Sequence, residues 1–248
     1  MIRTLLISDL DGTWLPAPGR EADLDRLESA VAAAPHIHLA FATGRTLPAA
    51  LEALEAVGSR GPRTLVSDVG CALHRPDGIG GWAEDPAYRA AVQARWDEAA
   101  AERVLAALPD GVIPQPGVAA RHRLALQVAP GFQPEERAPA LARVLAREQL
   151  VARILPSHGF YLDVLPVGVD KGFAVRFLRG ELRCRQVVSC GDSENDLDLF
   201  RSADAALLMS RHHLGDRDLD DIAPRLVRCR APGPAGILEA LQEMGALT

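Results

Sequence analysis

Short β-prone runs separated by helical patterns constrain this chain more than any other feature. They lie near Thr4–Ser8, Ile37–Ala42, Arg63–Ser67, Gln186–Cys190, Ala205–Met209 and Arg225–Arg228. Leu5-Leu6-Ile7 is apolar throughout rather than alternating, so both faces of that strand must be covered. Strands of this kind alternating with helices predict an α/β fold: a Rossmann-like, mostly parallel sheet with helices on both faces. The segment Glu21–Ala34 carries Leu24, Leu27, Ala30 and Val31 at helical spacing and stops before Pro35, and Leu47–Val57 stops at Gly58. Asp170 is placed to cap a third helix that begins at Lys171 and buries Val175 and Leu178.

Far more chain lies between Thr43 and Lys171 than a β-α-β crossover needs, so a module is inserted there. Its expected borders are the Pro76–Gly81 stretch and the Pro166-Val167-Gly168 turn. Inside, a helix over about Pro86–Leu108 precedes two short strands, one of them Arg121–Val128. A second helix over about Pro134–Leu150 precedes strands at Val151–Leu155 and Phe160–Leu165. The insert reads as αββ twice, an α+β (αββαββ) unit over residues 78–166 between core parts 1–77 and 167–248. It is expected to act as a mobile lid hinged at the two borders.

The chemistry clusters where strands end. Asp9 and Asp11 follow the first strand, and residues two apart in an extended segment point the same way, so the pair suits a nucleophile and a proton-transfer partner. Carboxylates held that close repel each other unless a cation intervenes, and oxygen ligands of this kind suit Mg²⁺. Asp192 and Asp196 follow another apolar strand and can complete that cation site. Lys171 and the Thr43 hydroxyl can hold phosphate oxygens. Lys171 is the only lysine in the sequence, and in a first helical turn its charge and the free N–H groups both favour a phosphate. Thr43 also suits capping the helix that starts near Leu47, and Arg45 equally suits a solvated surface position.

The ordered segments Asp9-Leu10-Asp11-Gly12-Thr13, Thr43-Gly44-Arg45, Asp170-Lys171-Gly172 and Gly191–Asp196 resemble the four signature motifs of the haloacid dehalogenase superfamily. Over nearly the whole chain the sequence is similar to the sucrose-phosphate phosphatase branch, in LLISDLDGTW, FATGR, DVLPVGVDKGFAVRFL, CGDSENDLDLF and AGILEAL. The resemblance implies a magnesium-dependent phosphatase with a C2-type (C2B-like) cap. It implies Asp9 as nucleophile through an aspartyl-phosphate and Asp11 as general acid and base. Thr43, Gly44, Lys171 and Asn195 are implied as phosphate ligands. Asp9, Asp11 (through its carbonyl) and Asp192 are the implied metal ligands, with Asp196, Thr13 and Arg45 in support.

In the insert, Arg121 and Arg123 are expected on one strand face, and Tyr161 and Asp163 on another near His158; these five are the candidate sugar-binding residues. The chain departs from the resembled branch where Gly70 is followed by Cys71-Ala72 rather than Ser-Glu, and at Phe160-Tyr161 in place of Lys-Asp. The expected substrate is a small phosphorylated sugar or glycosyl phosphate, with sucrose 6-phosphate itself left open. A phosphosugar mutase and a non-catalytic sugar-phosphate sensor are the alternatives; the paired Asp9 and Asp11 argue against the sensor, since binding alone has no use for the second carboxylate.

A net charge of −6 and 4% aromatic residues supply neither the field nor the stacking platforms that nucleic acid needs. No apolar run approaches the ~20 residues of a membrane span, and the apolar stretch behind Met1 is too short for a signal core. The expectation is a cytoplasmic protein with no membrane or nucleic-acid partner, its oligomeric state open. Cys71, Cys184, Cys190 and Cys229 lack C-x-x-C spacing and read as small core residues.

Overall fold

The computed structural model describes residues 3–247. The chain begins with β1 (Thr4–Ser8), α1 (Glu21–Ala32), β2 (Ile37–Ala42), α2 (Leu47–Ala56) and β3 (Thr64–Ser67), then a hairpin of β4 (Ala72–Pro76) and β5 (Trp82–Glu84). Two helices, α3 (Pro86–Gln93) and α4 (Glu98–Ala106), lead to β6 (Val112–Pro114) and β7 (Leu124–Val128); α5 (Pro134–Arg147) leads to β8 (Ala152–Ser157) and β9 (Tyr161–Pro166). The chain returns through α6 (Lys171–Leu182), β10 (Gln186–Gly191), α7 (Leu197–Arg201), β11 (Ala205–Leu208), α8 (Asp216–Leu219), β12 (Leu226–Arg228) and α9 (Gly233–Glu243).

The larger sheet runs β12-β11-β10-β1-β2-β3-β4-β5; it is parallel from β12 to β3 and closes with the antiparallel β4 and β5. Side chains of β1 alternate between two cores, which is why the run is apolar throughout. Leu6 packs with Leu24 and Leu27 of α1, Phe41, and Ile237 and Leu241 of α9. Leu5 and Ile7 pack with Val175 and Leu178 of α6 and with Tyr88 of α3. Each such side chain, fully buried, contributes roughly 1.5–3 kcal/mol.

The smaller sheet is antiparallel, ordered β6-β7-β9-β8, with α4 and α5 packed on one face through Val104, Leu126, Leu141 and Leu162. This is the αββαββ order expected for the insert. Its first border differs from expectation: the Pro76–Gly81 stretch is the turn of the β4–β5 hairpin, and both strands belong to the larger sheet. The anticipated helix over Pro86–Leu108 is two helices. Tyr88 and Val92 of α3 are buried in the larger core, whereas Ala100, Ala101 and Val104 of α4 sit in the smaller one. The chain crosses between the layers after α3, and Asp97 caps α4 by accepting from Ala100 N. Asp170 caps α6 as expected, accepting from Phe173 N at 2.7 Å. The four cysteines are buried and unpaired. Among the described residues no helix is long and apolar enough to cross a membrane.

Candidate active site

The residues singled out in the sequence meet at the carboxyl ends of β10, β1 and β2, three neighbours in the sheet. Asp9 follows β1, and its N–H donates to Cys190 O at 2.9 Å, which holds the end of β1 beside the end of β10. Asp192 follows β10. Thr43 follows β2, and its N–H donates to Val66 O of β3. The chain has just switched sides of the sheet here, which opens a crevice above the strand ends.

Lys171, the first residue of α6, is wholly buried; its Nζ donates at 2.7 Å to Asp9 Oδ1 and at 2.7 Å to Asp196 Oδ1. The other oxygen of Asp196 accepts from the N–H groups of Asp192 (3.0 Å) and Ser193 (3.1 Å), fixing the loop after β10. Asp9, Asp192 and Asp196 each offer a carboxylate oxygen within 4.8 Å of the others. Three buried carboxylates thus share one ammonium. Burial pushes the Asp9 carboxyl well above the usual carboxylate range, with Lys171 opposing and Asp196 adding to the rise. Burial and then Asp196 push Asp192 up to about 7. For Lys171, burial works to lower the pKa, but Asp196 and Asp9 outweigh it and hold the ammonium charged.

That imbalance calls for another positive charge, and the donors present fit a hard divalent ion. Asp192 Oδ1 is buried without a hydrogen-bond partner. Gly12 lies against the same carboxylate in a left-handed conformation (φ 71°), and a Cβ there would fall 2.3 Å from Asp192 Oδ2. The all-oxygen set of Asp9 and Asp192, backed by Asp196, matches the preference of Mg²⁺.

Asp11 lies outside this buried cluster. Its side chain is half exposed and held by the Arg45 guanidinium in two bonds, Nη2 to Oδ1 at 2.7 Å and Nε to Oδ2 at 2.8 Å. Arg45, for which sequence left two roles open, is therefore a partner of the second carboxylate. The Thr43 hydroxyl is buried and accepts from Arg45 N at 3.2 Å. Asn195 sits beside Gly44, its Nδ2 3.9 Å from where a Cβ on Gly44 would lie. Thr13 Oγ1 is buried without a partner.

A cavity of about 490 Å³ opens above Asp9 and Asp11. Gly44, Arg45 and Asn195 line its lower side, and the open face of the smaller sheet roofs it with Arg123, His158, Tyr161 and Asp163. Four of the five sugar-binding candidates thus come together. Arg121 does not: β7 starts only at Leu124, so the two arginines share no strand face. Arg121 points to Glu84 at 3.5 Å, is largely exposed, and lines a separate cavity of about 540 Å³. Gln115 and Ser157 also line the cavity and were not singled out beforehand; Phe160, noted in the sequence only as a departure from the resembled branch, lines it too. The i, i+2 spacing of Ser157 and Leu155 on β8 was the available signal, but the strand's register was not readable without its partner.

Asp68 was also missed. The segment Asp68–Gly70 holds three successive positive φ angles (55°, 57° and 97°), strained for an aspartate and more so for a β-branched valine. It is fastened to the Thr43 loop, with Asp68 N donating to Arg45 O and Val69 N to Thr43 O. A Cβ on Gly70 would fall 2.3 Å from the Asp170 carbonyl, so the segment also abuts the start of α6.

A profile of the sucrose-6F-phosphate phosphohydrolase family matches residues 2–245. The chain belongs to that family. The solved structure of the sucrose-phosphatase from Synechocystis sp. PCC6803 in complex with sucrose and phosphate is similar over 99% of both chains, with a TM-score of 0.85 and 25% identity. A haloacid dehalogenase-like hydrolase from Bacillus subtilis shares the fold over 100% of this chain and 96% of that one, at a TM-score of 0.71 and 14% identity. Glucosylglycerol-phosphate synthase of Pseudomonas anguilliseptica is 30% identical over 245 residues, 98% of this chain and 31% of that protein. The chain therefore spans about a third of that curated relative's length. Membership of the sucrose-6F-phosphate phosphohydrolase family agrees with the α/β core and four-stranded roof described above.

Proposed function

We propose that this chain is a magnesium-dependent phosphatase of sugar or glycosyl phosphates that works through transient phosphorylation of Asp9. The observation that carries the reading is the buried Asp9–Lys171–Asp196–Asp192 cluster on the floor of a roofed cavity. Family membership supports the phosphatase part, and the relatives, a sucrose-phosphatase and a glucosylglycerol-phosphate synthase, support a glycosylated substrate.

In this reading a carboxylate oxygen of Asp9 attacks phosphorus, a P–O bond to Asp9 forms, and the bond to the sugar oxygen breaks. Asp11 gives its proton to the departing oxygen, then takes one from the water that attacks the acyl-phosphate and regenerates Asp9. Asp11 suits both duties because it sits at the cavity wall rather than in the buried cluster. Lys171 and the N–H groups around Gly44 hold phosphate oxygens, and Asn195 closes that side. Asp9 and Asp192 would hold Mg²⁺, with Asp196 fixing the loop; the ion would supply the positive charge that offsets carboxylate and phosphate. The roof residues His158, Tyr161 and Asp163 face the sugar and exclude bulk water, with the smaller sheet and its helices serving as the lid.

The test is phosphate release from a panel containing sucrose 6-phosphate, glucosylglycerol phosphate and hexose phosphates, with Mg²⁺ and with EDTA. Magnesium-dependent release from at least one member, lost in Asp9→Asn, is the expected result. Release that persists in Asp9→Asn contradicts the mechanism, and conversion of one phosphosugar to another without release favours a mutase.

A further inference from the structure

Arg123 belongs to the roof, yet its side chain is almost wholly buried in the seam below it. Its Nη1 donates to Gly44 O at 3.1 Å and lies 3.3 Å from Asp163 Oδ1; its Nη2 lies 3.2 Å from Asp68 Oδ1. One guanidinium therefore touches the phosphate loop, the strained segment after β3, and the roof carboxylate that faces the cavity. Only the contact to Gly44 O is a hydrogen bond; Asp68 Oδ1 and Asp163 Oδ1 are ion-pair contacts, and one planar guanidinium spans all three where a compact ammonium could not.

Each contact leads toward the reacting groups. Gly44 lies between Thr43 and Arg45, the partner of Asp11. Asp68 begins the segment whose N–H groups fasten Thr43 and Arg45 and whose glycine abuts the N-terminus of α6, where Lys171 stands. Asp163 is 5% exposed, lines the cavity, and its Oδ1 finds no hydrogen-bond partner. That oxygen faces the Arg123 guanidinium at 3.3 Å without hydrogen-bond geometry, so a hydroxyl donated to Asp163 by an occupant of the cavity bears directly on the Arg123 contact.

We infer that Arg123 is a positioning residue that couples seating of the sugar against Asp163 to the shape of the phosphate loop through Gly44 and Asp68. It does not touch the reacting atoms. With Arg123 in place, the roof carboxylate and the phosphate loop are set at one distance, so an ester that engages both gains affinity that a small ester cannot. This inference rests on the phosphatase reading and sharpens it: the seam selects esters long enough to reach from Asp9 to Asp163.

The test compares wild type with Arg123→Gln, Arg123→Lys, Asp68→Asn and the double variant Arg123→Gln/Asp68→Asn. The probes are p-nitrophenyl phosphate and the best of the panel's sucrose 6-phosphate, glucosylglycerol phosphate and glucose 6-phosphate. The expected result is a rise in KM for the sugar phosphate of at least tenfold in Arg123→Gln, several times larger than any rise in KM for p-nitrophenyl phosphate. Arg123→Lys rescues little, and the double variant is no worse than the poorer single one. Arg153→Gln, which removes contacts from the roof to Asp198 and to Asp170, controls for general loosening of the seam. An unchanged KM for the sugar phosphate, additive effects in the double variant, or an equal rise in Arg153→Gln would overturn the inference. If Arg123→Gln does not fold, Asp68→Asn alone carries the same KM test. A wild type inactive on every ester refutes the phosphatase reading instead.

Discussion

Gly12 shows how much a single missing side chain governs here. The left-handed turn after Asp11 and the contact with Asp192 both exclude a Cβ, so Gly12→Ala must push aside the carboxylate proposed to hold the metal. The expected outcome is a fall in kcat/KM of about 100-fold or more with retained secondary structure, measured by steady-state kinetics over a Mg²⁺ titration; a variant with wild-type kinetics would separate Asp192 from the metal. Asp163 carries a second residue-level prediction. Burial, opposed by Arg123 and reinforced by Asp68, raises its pKa to about 6 in the folded chain. The folded state then binds more protons than the unfolded state between about pH 4 and pH 6, so stability from this group falls as pH rises through that window. The upper bound is roughly 3 kcal/mol. Asp163→Asn removes that slope: its melting temperature relative to wild type should be higher at pH 7 than at pH 4.5, as thermal unfolding at the two pH values would register.

At the level of elements, α6 delivers Lys171 because its first turn lies tightly on α7. A Cβ on Gly172 would fall 2.3 Å from Asp198 O and 2.5 Å from Ser202 Oγ, so Gly172→Ala forces the helices apart. The expected destabilisation is about 1–3 kcal/mol, read as a drop in Tm of about 2–4 °C for each kcal/mol, with activity falling further than stability because Lys171 moves. An unchanged Tm would mean the helices reseat freely. The parallel strands and the Asp170 cap were legible in the sequence because their signals are local: an apolar run, a capping carboxylate, a helical period. The edge of the insert was not. A Gly/Pro stretch serves a hairpin turn and a domain border equally well, and only the pairing of β5 with β4 decides between them. The 86–108 helix misled for a related reason, since its apolar positions continue while the surface they pack against changes from the larger core to the smaller one. Among candidate-site residues, the meeting of Asp9, Lys171 and Asp192 was legible because each follows a strand or starts a helix. Arg123 and Arg121 look alike in sequence, and only the late start of β7 sends one into the seam and the other to Glu84.

Over the whole molecule, the excess charge at the candidate site has the same sign as the chain. The protein is acidic overall, with a net charge of −6, and the floor of its candidate site gathers three carboxylates, two more than a single lysine neutralises. On the proposed function, anion capture would then rest on Lys171, the loop N–H groups and a bound cation rather than on a long-range field. Folding without that cation keeps Asp9 and Asp192 in a repulsive, poorly solvated arrangement, which both raised pKa values express. An ion that binds only the folded chain relieves this and stabilises by mass action, by about 2.7 kcal/mol at a concentration 100 times its dissociation constant. For a chain of 248 residues that corresponds to a rise in Tm of roughly 5–10 °C. Mg²⁺ added to EDTA-treated protein should produce such a rise, and Asp192→Asn should abolish it while making the metal-free chain more stable, since it removes one of the crowded charges. A magnesium-induced shift of equal size in Asp192→Asn would place the ion elsewhere and leave the three-carboxylate floor without its counter-charge.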